Sequence, residues 1–145
     1  MTLVEHKSRY YIARILLDRK AEHVTPAIIK VLKAFSNEMV KTITFDRGKE
    51  FARYEEIEKQ LNCQAYFCDS YYAWQKGTNE NTNGLLREFY LKGMDLSKVD
   101  ENELSNNLTF MNNWSRKSSP IKTPNEVMFG VYLTLGVSLD LTNYL

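Results

Sequence analysis

Short runs of strand-forming residues alternate with amphipathic helical stretches along this chain. That alternation restricts the fold more than any other feature. Lys41 to Phe45 and Gln64 to Cys68 read as short strands, and each follows a stretch with helical spacing. Strands separated by helices call for a sheet with helices packed on its faces, an α/β architecture. Leu3 to Asp18 reads as two strands joined by a hairpin turn near Glu5–Ser8. A hairpin adds an antiparallel part, so the expected sheet is mixed.

The helices carry their own punctuation. Thr25 and Pro26 suit an N-cap and a first helical position, with Val24, Ile28, Val31, Leu32 and Phe35 on one face. Tyr54, Ile57 and Leu61 mark a shorter helix. Asp69 to Lys76 reads as an aromatic loop with Tyr71, Tyr72 and Trp74, after which Thr78 caps a helix running to about Tyr90. Gly93 stands just beyond that helix as a stop. Asp100 with Glu103, and Thr123-Pro124-Asn125-Glu126, are two further helix starts. Val131 to Leu145 is an apolar tail, read as a late strand or a packed extension.

Composition sets outer bounds. The chain has 145 residues, 43% hydrophobic and 26% charged, enough for one domain with a buried core. No apolar run approaches bilayer-spanning length, and charge interrupts the first residues at Glu5, so neither a membrane segment nor a signal peptide is expected. A cytoplasmic protein is expected. Net charge is +1, which neither demands nor excludes a nucleic-acid partner. Cys63 and Cys68 lie five apart on one expected strand, on opposite faces, so a disulfide between them is not expected. No metal-binding Cys or His spacing is present.

Two carboxylates stand out. Asp46 directly follows a short strand, the place where open α/β sheets carry functional residues. The competing reading is an ordinary turn aspartate bonded to nearby backbone. Glu80 falls in the first turn of its expected helix. At about 100° per residue, Arg87 returns to the direction of Glu80, with Asn83 and Gly84 close to that line. Leu85, Leu86, Phe89 and Tyr90 take the opposite side. The run Asn81-Thr82-Asn83-Gly84 costs helix stability, which hints at a use. A solvated amphipathic helix is the plainer alternative for Glu80 itself. Together Asp46 and Glu80 suggest a carboxylate pair for magnesium, an ion that takes oxygen ligands and substrate phosphates.

Trp74, Gln75, Lys76 and Gly77 form an aromatic and basic loop able to stack on bases and grip phosphates. The alternative is that its aromatic residues plug a core edge. Arg116, Lys117 and Lys122 make a small basic patch, read as a solvated loop.

Taken together, these segments resemble the catalytic core of the IS-thirty family of bacterial insertion-sequence transposases. The likeness is carried by Thr42 to Phe51 and, most specifically, by Trp74 to Arg87. Residues 3–10, 18–22 and 122–127 support it. The resemblance implies an RNase H-like fold of the retroviral integrase type, here expected to lack its first, central strand. It implies a DDE triad holding two Mg²⁺ or Mn²⁺ ions for DNA cleavage and strand transfer. Asp46 would be the second acidic residue and Glu80 the third, with 33 residues between them. The first would precede Met1, so the chain is expected to be N-terminally truncated and inactive alone. Arg87, Asn83, Lys76, Trp74 and Gln75 would face DNA, both transposon ends and target. Residues 1–130 would be a partial catalytic core and 131–145 an extension. A second copy, or an intact transposase, is a further expected partner. The alternative function is a non-catalytic DNA-binding or dimerisation remnant that modulates an intact transposase.

Overall fold

The computed structural model describes residues 1–68, 74–90, 93–95, 98–115 and 122–130. The described residues divide into two units, Met1–Ile15 with those from Gly77 to Gly130, and Leu16–Lys76.

In the first unit, β1 (Thr2–Val4) pairs antiparallel with β2 (Tyr11–Ala13), Leu3 opposite Ile12. The connection forms because Glu5 organises it. Its carboxylate accepts from the Lys7 and Ser8 backbone N–H groups, at 3.0 and 2.6 Å, and from the Ser8 hydroxyl at 2.5 Å. Arg9 takes the left-handed conformation, φ 62°, to complete the turn.

Two helices cover this hairpin. α4 (Glu101–Asn112) is capped by Asp100, whose side chain accepts from the N–H groups of Asn102 and Glu103, as the sequence spacing predicts. Its Leu104, Leu108 and Met111 join Tyr11, Ala13, Leu86, Tyr90 and Val99 in one core cluster. α5 (Pro124–Phe129) starts with the full expected capping box between Thr123 and Glu126 and has Pro124 in its first turn. Phe129 sets its ring edge-on against Tyr10 at 5.4 Å.

In the second unit, α1 (Ala21–Leu32) packs against α2 (Tyr54–Leu61) and against a 3₁₀ turn, Lys49–Phe51. β3 (Thr42–Phe45) runs parallel to β4 (Gln64–Phe67), Ile43 opposite Ala65. Ile43 and Phe45 are buried and Thr42 and Thr44 exposed, the two-residue alternation of a sheet with one covered face. Phe45 stacks on Phe51 at 4.8 Å, and Tyr54 meets Phe67 edge-on at 5.0 Å. Asn62 in the left-handed conformation ends α2. The Glu58 carboxylate then accepts the Ala65 N–H at 2.7 Å, on the next turn of chain.

Several expectations need correcting. The helix expected to begin at Thr25–Pro26 begins at Ala21, and both residues lie inside it. An interior proline forfeits one helical hydrogen bond, a cost of about 3 kcal/mol on its own. Burial of Val24, Thr25, Ile28, Ile29 and Val31 along this helix offsets it. The entry is ordered by Asp18, which accepts the Lys20 N–H at 3.0 Å and pairs with His23 Nδ1 at 2.6 Å. These bonds, the one to His23 foremost, hold the Asp18 carboxyl below its usual range. Trp74, Gln75 and Lys76, expected in a loop, open α3 (Trp74–Arg87), and Thr78 is inside that helix rather than at its cap. Among the described residues β1 pairs antiparallel with β2 and β3 parallel with β4, so both kinds of pairing are present as expected. Cys63 and Cys68 flank β4 as buried free thiols. The tail 131–145, the expected aromatic residues Tyr71 and Tyr72, and Arg116 and Lys117 lie outside the described residues.

Candidate DNA-facing site

Asp46 directly follows β3, where the strand alternation turns it outward, and it is exposed. Its carboxylate accepts the Gly48 N–H at 3.1 Å, so it serves the local turn as well as facing solvent. Gly48 is in an ordinary extended conformation, φ −70°, not the left-handed one. A methyl group added there would first meet the Glu50 carboxylate, the end of a flexible side chain that would have to move aside. The glycine is therefore not required by backbone geometry at this turn.

Glu80 lies on α3, exposed, with Gly84 and Arg87 also exposed. Apart from its chain neighbours and the helix's own backbone, no atom lies within 4 Å of where a Gly84 side chain would begin, so this stretch of helix is open to close approach. The expected polar face is therefore present, with two revisions. Thr82, from the polar run, is buried and continues a line with Leu86 and Tyr90, four residues apart each time. Phe89, expected on the apolar side, is 39% exposed and lies past the helix end against Phe110, ring centroids 5.7 Å apart. The helix ends at Arg87, earlier than expected, and Gly93 follows with φ 84°.

Asn83 is the residue that joins this face to the core. It is half-buried, and its Oδ1 accepts the Tyr11 hydroxyl at 2.7 Å. Burial pushes the Tyr11 phenol well above its usual pKa, outweighing the opposing pulls of the Thr2 side chain and the Arg87 charge. The phenol therefore stays protonated and remains a donor. Tyr11 is itself held by Asn112, whose Oδ1 accepts the Tyr11 N–H and whose Nδ2 donates to the Tyr11 carbonyl, both at 2.8 Å. Sequence reading did not single out Tyr11 or Asn112. One signal was available: Asn112 falls four residues after Leu108, on the apolar stripe of α4.

Asp46 belongs to the unit Leu16–Lys76 and Glu80 to the other. Glu80, Asn83 and Arg87 thus share one helix, while Asp46 is placed at its own strand end. Lys76, Trp74 and Gln75 lie in the first turn of α3. Among the described residues no group of three His, Cys, Asp or Glu side chains is close enough to hold one metal ion. Asp46 and Glu80, each taken by itself, offer oxygen donors of the kind a hard divalent ion takes. No helix among the described residues is long and apolar enough to cross a membrane.

The fold is that of an integrase catalytic core, RNase H-like and α/β. The catalytic core domain of BIV integrase superimposes with a TM-score of 0.68, covering 91% of this chain and 86% of that one at 21% identity. The sequence is more specific. Transposase InsI of insertion element IS30C from Escherichia coli K12 is 40% identical over 134 residues, 92% of this chain and 35% of the relative. The transposase of IS4351 from Bacteroides fragilis is 41% identical over 119 residues, 82% of this chain and 36% of its own length. A putative integrase of Spiroplasma virus SpV1-R8A2 B is 33% identical over 107 residues. No protein-family model matches the chain. Over the matched stretch this chain belongs to the IS30-type transposases, and it spans about a third of the length of those relatives.

Proposed function

We propose that this chain is a DDE transposase core that engages DNA in transposition and integration, and that the α3 face is its DNA-facing surface. The observation that carries the reading is one exposed helix face bearing Glu80, Gly84 and Arg87, on the segment where the transposase likeness is most specific. Arg87 supplies a fixed positive charge for a phosphate. Asn83 adds a hydrogen-bonding group beside it. Lys76, Trp74 and Gln75, two or more turns before Asn83 at the start of the same helix, are proposed to extend the contact toward the sugar-phosphate backbone and the bases.

Asp46 and Glu80 are each proposed as a metal-holding carboxylate, for Mg²⁺ or Mn²⁺, a reading supported by the transposase likeness of the segments that carry them. A divalent ion bound there would activate an attacking oxygen and stabilise a leaving oxygen in phosphoryl transfer. The protein's share is to orient the two carboxylates, since this chemistry depends on positioning. Asp46 and Glu80 are two carboxylates, and such sites normally use three. We propose DNA binding without strand cleavage by these two residues alone, with assembly alongside a second copy or an intact transposase as the setting in which the chain acts.

Purified chain is mixed with supercoiled plasmid in Mg²⁺ or Mn²⁺, alongside Asp46→Asn and Glu80→Gln variants, and nicking and binding are read in parallel. Binding without nicking is expected. Nicking that both variants abolish would overturn the inactivity and establish a working nuclease. Mn²⁺ binding, followed by electron paramagnetic resonance, should weaken in both variants; an unchanged titration would remove the metal assignment.

A further inference from the structure

The bond between Tyr11 and Asn83 settles which end of a side chain the helix face presents. A carboxamide carries an acceptor oxygen on one side and two N–H donors on the other. Asn83 Oδ1 is occupied by the Tyr11 hydroxyl at 2.7 Å. Its amide nitrogen therefore lies on the opposite side of the group, and no described residue accepts a hydrogen bond from it. Tyr11 is in turn fully buried, and both its backbone N–H and its backbone C=O are held by the Asn112 side chain. The phenol cannot easily swing away, so the orientation of the Asn83 amide is built into the core of this unit.

We infer that Tyr11 is a positioning residue that turns the Asn83 amide donor outward beside Arg87, so that this face takes a ligand group that only accepts hydrogen bonds. A phosphodiester oxygen is such a group, and duplex DNA is the ligand class. The inference rests on the DNA-facing reading of α3 and adds a specific polarity to it. An Asn free to rotate would bind an acceptor or a donor equally well. An Asn whose oxygen is held toward Tyr11 favours acceptors on the side where its N–H groups project, because a group approaching there meets donors first.

The test is a double-mutant cycle in the full chain, read by fluorescence anisotropy with a labelled duplex oligonucleotide. Tyr11→Phe removes the hydroxyl and keeps the ring. It should weaken binding about five-fold, the equivalent of one ordinary hydrogen bond. Asn83→Ala should weaken binding at least as much, and Tyr11→Phe should then add nothing in that background. An equal loss from Tyr11→Phe with and without Asn83 would mean a general effect on packing, and would overturn the inference. So would full-strength binding by Tyr11→Phe. A second readout does not need DNA. In ¹⁵N spectra the Asn83 side-chain amide should shift and lose its dispersion in Tyr11→Phe, and an unmoved signal would overturn the orientation. The reading beneath fails differently: Arg87→Ala and Asn83→Ala would both bind the duplex as the parent does, whatever the amide signal reports.

Discussion

The Asn112 side chain makes to Tyr11 both hydrogen bonds that a neighbouring strand would make. It accepts the Tyr11 N–H and donates to the Tyr11 carbonyl, each at 2.8 Å, across 101 residues of sequence. A helix side chain thus closes the outer edge of β2 and ties α4 to the hairpin. Replacing it by leucine, of similar size, leaves a buried donor and a buried acceptor unpaired. Asn112→Leu should cost about 2–4 kcal/mol, measured by urea unfolding. Asn112→Asp should cost at least as much near neutral pH, because its second oxygen would face the Tyr11 carbonyl with no proton to donate and its charge would be buried.

The Glu5 turn should make the hairpin acid-sensitive. Burial alone would raise the Glu5 pKa, but the bonds from the Ser8 hydroxyl and from the Ser8 and Lys7 N–H groups outweigh it and bring the value below 4.5. A carboxylate whose folded pKa is depressed stabilises the fold above its unfolded pKa. That contribution disappears as pH falls through the folded value. The Tm of the parent should therefore exceed that of Glu5→Gln near neutral pH, and the gap should close on acidification.

The capping box of α5 should be measurable by itself. Glu126 N–H donates to Thr123 Oγ1 at 3.2 Å, and Thr123 N–H donates to the Glu126 carboxylate at 2.7 Å. Thr123→Ala should cost about 1 kcal/mol and raise the amide exchange rate of Glu126. Thr123→Ser should restore most of the loss.

Both thiols should resist alkylation in the folded chain. They are buried, and burial pushes the Cys63 thiol up, helped by the nearby negative charge of Glu58. Iodoacetamide labelling near neutral pH should be slow until denaturant is added, because the thiolate is the reactive form.

Arg87→Ala should weaken duplex binding and lower the slope of log K against log salt by about one, as expected for one lost phosphate contact. The unfolding midpoint should hardly move, since Arg87 is exposed. An unaltered slope would take Arg87 away from the backbone.

The elements themselves were largely legible. The parallel pair β3 and β4, helix α2 and the caps at Asp100 and Thr123 all appear where local pattern puts them. Each depends on near-neighbour rules: alternation for a strand, an oxygen accepting a backbone N–H two or three residues on for a cap. The departures fall at two helix starts. Pro26 and Thr25 look like a helix start, yet the apolar stripe beginning at Val24 carries the helix one turn earlier. Trp74 to Lys76 look like a loop, yet α3 extends through them despite its glycines.

The candidate site divides along the same line. That Glu80, Asn83 and Arg87 share one face follows from helical periodicity, and any helix through residues 80–87 must do this. The outward position of Asp46 follows from alternation along β3. Which way the Asn83 amide points is a tertiary fact, because it depends on a phenol 72 residues away in sequence. The double bond from Asn112 that holds that phenol's backbone is tertiary too. Residue spacing alone determined which side chains lie together on an element. Only the packing of α3 and α4 around β2 decided which atoms of those side chains remain to meet a ligand, because a hydrogen bond consumes one end of a group and leaves the other.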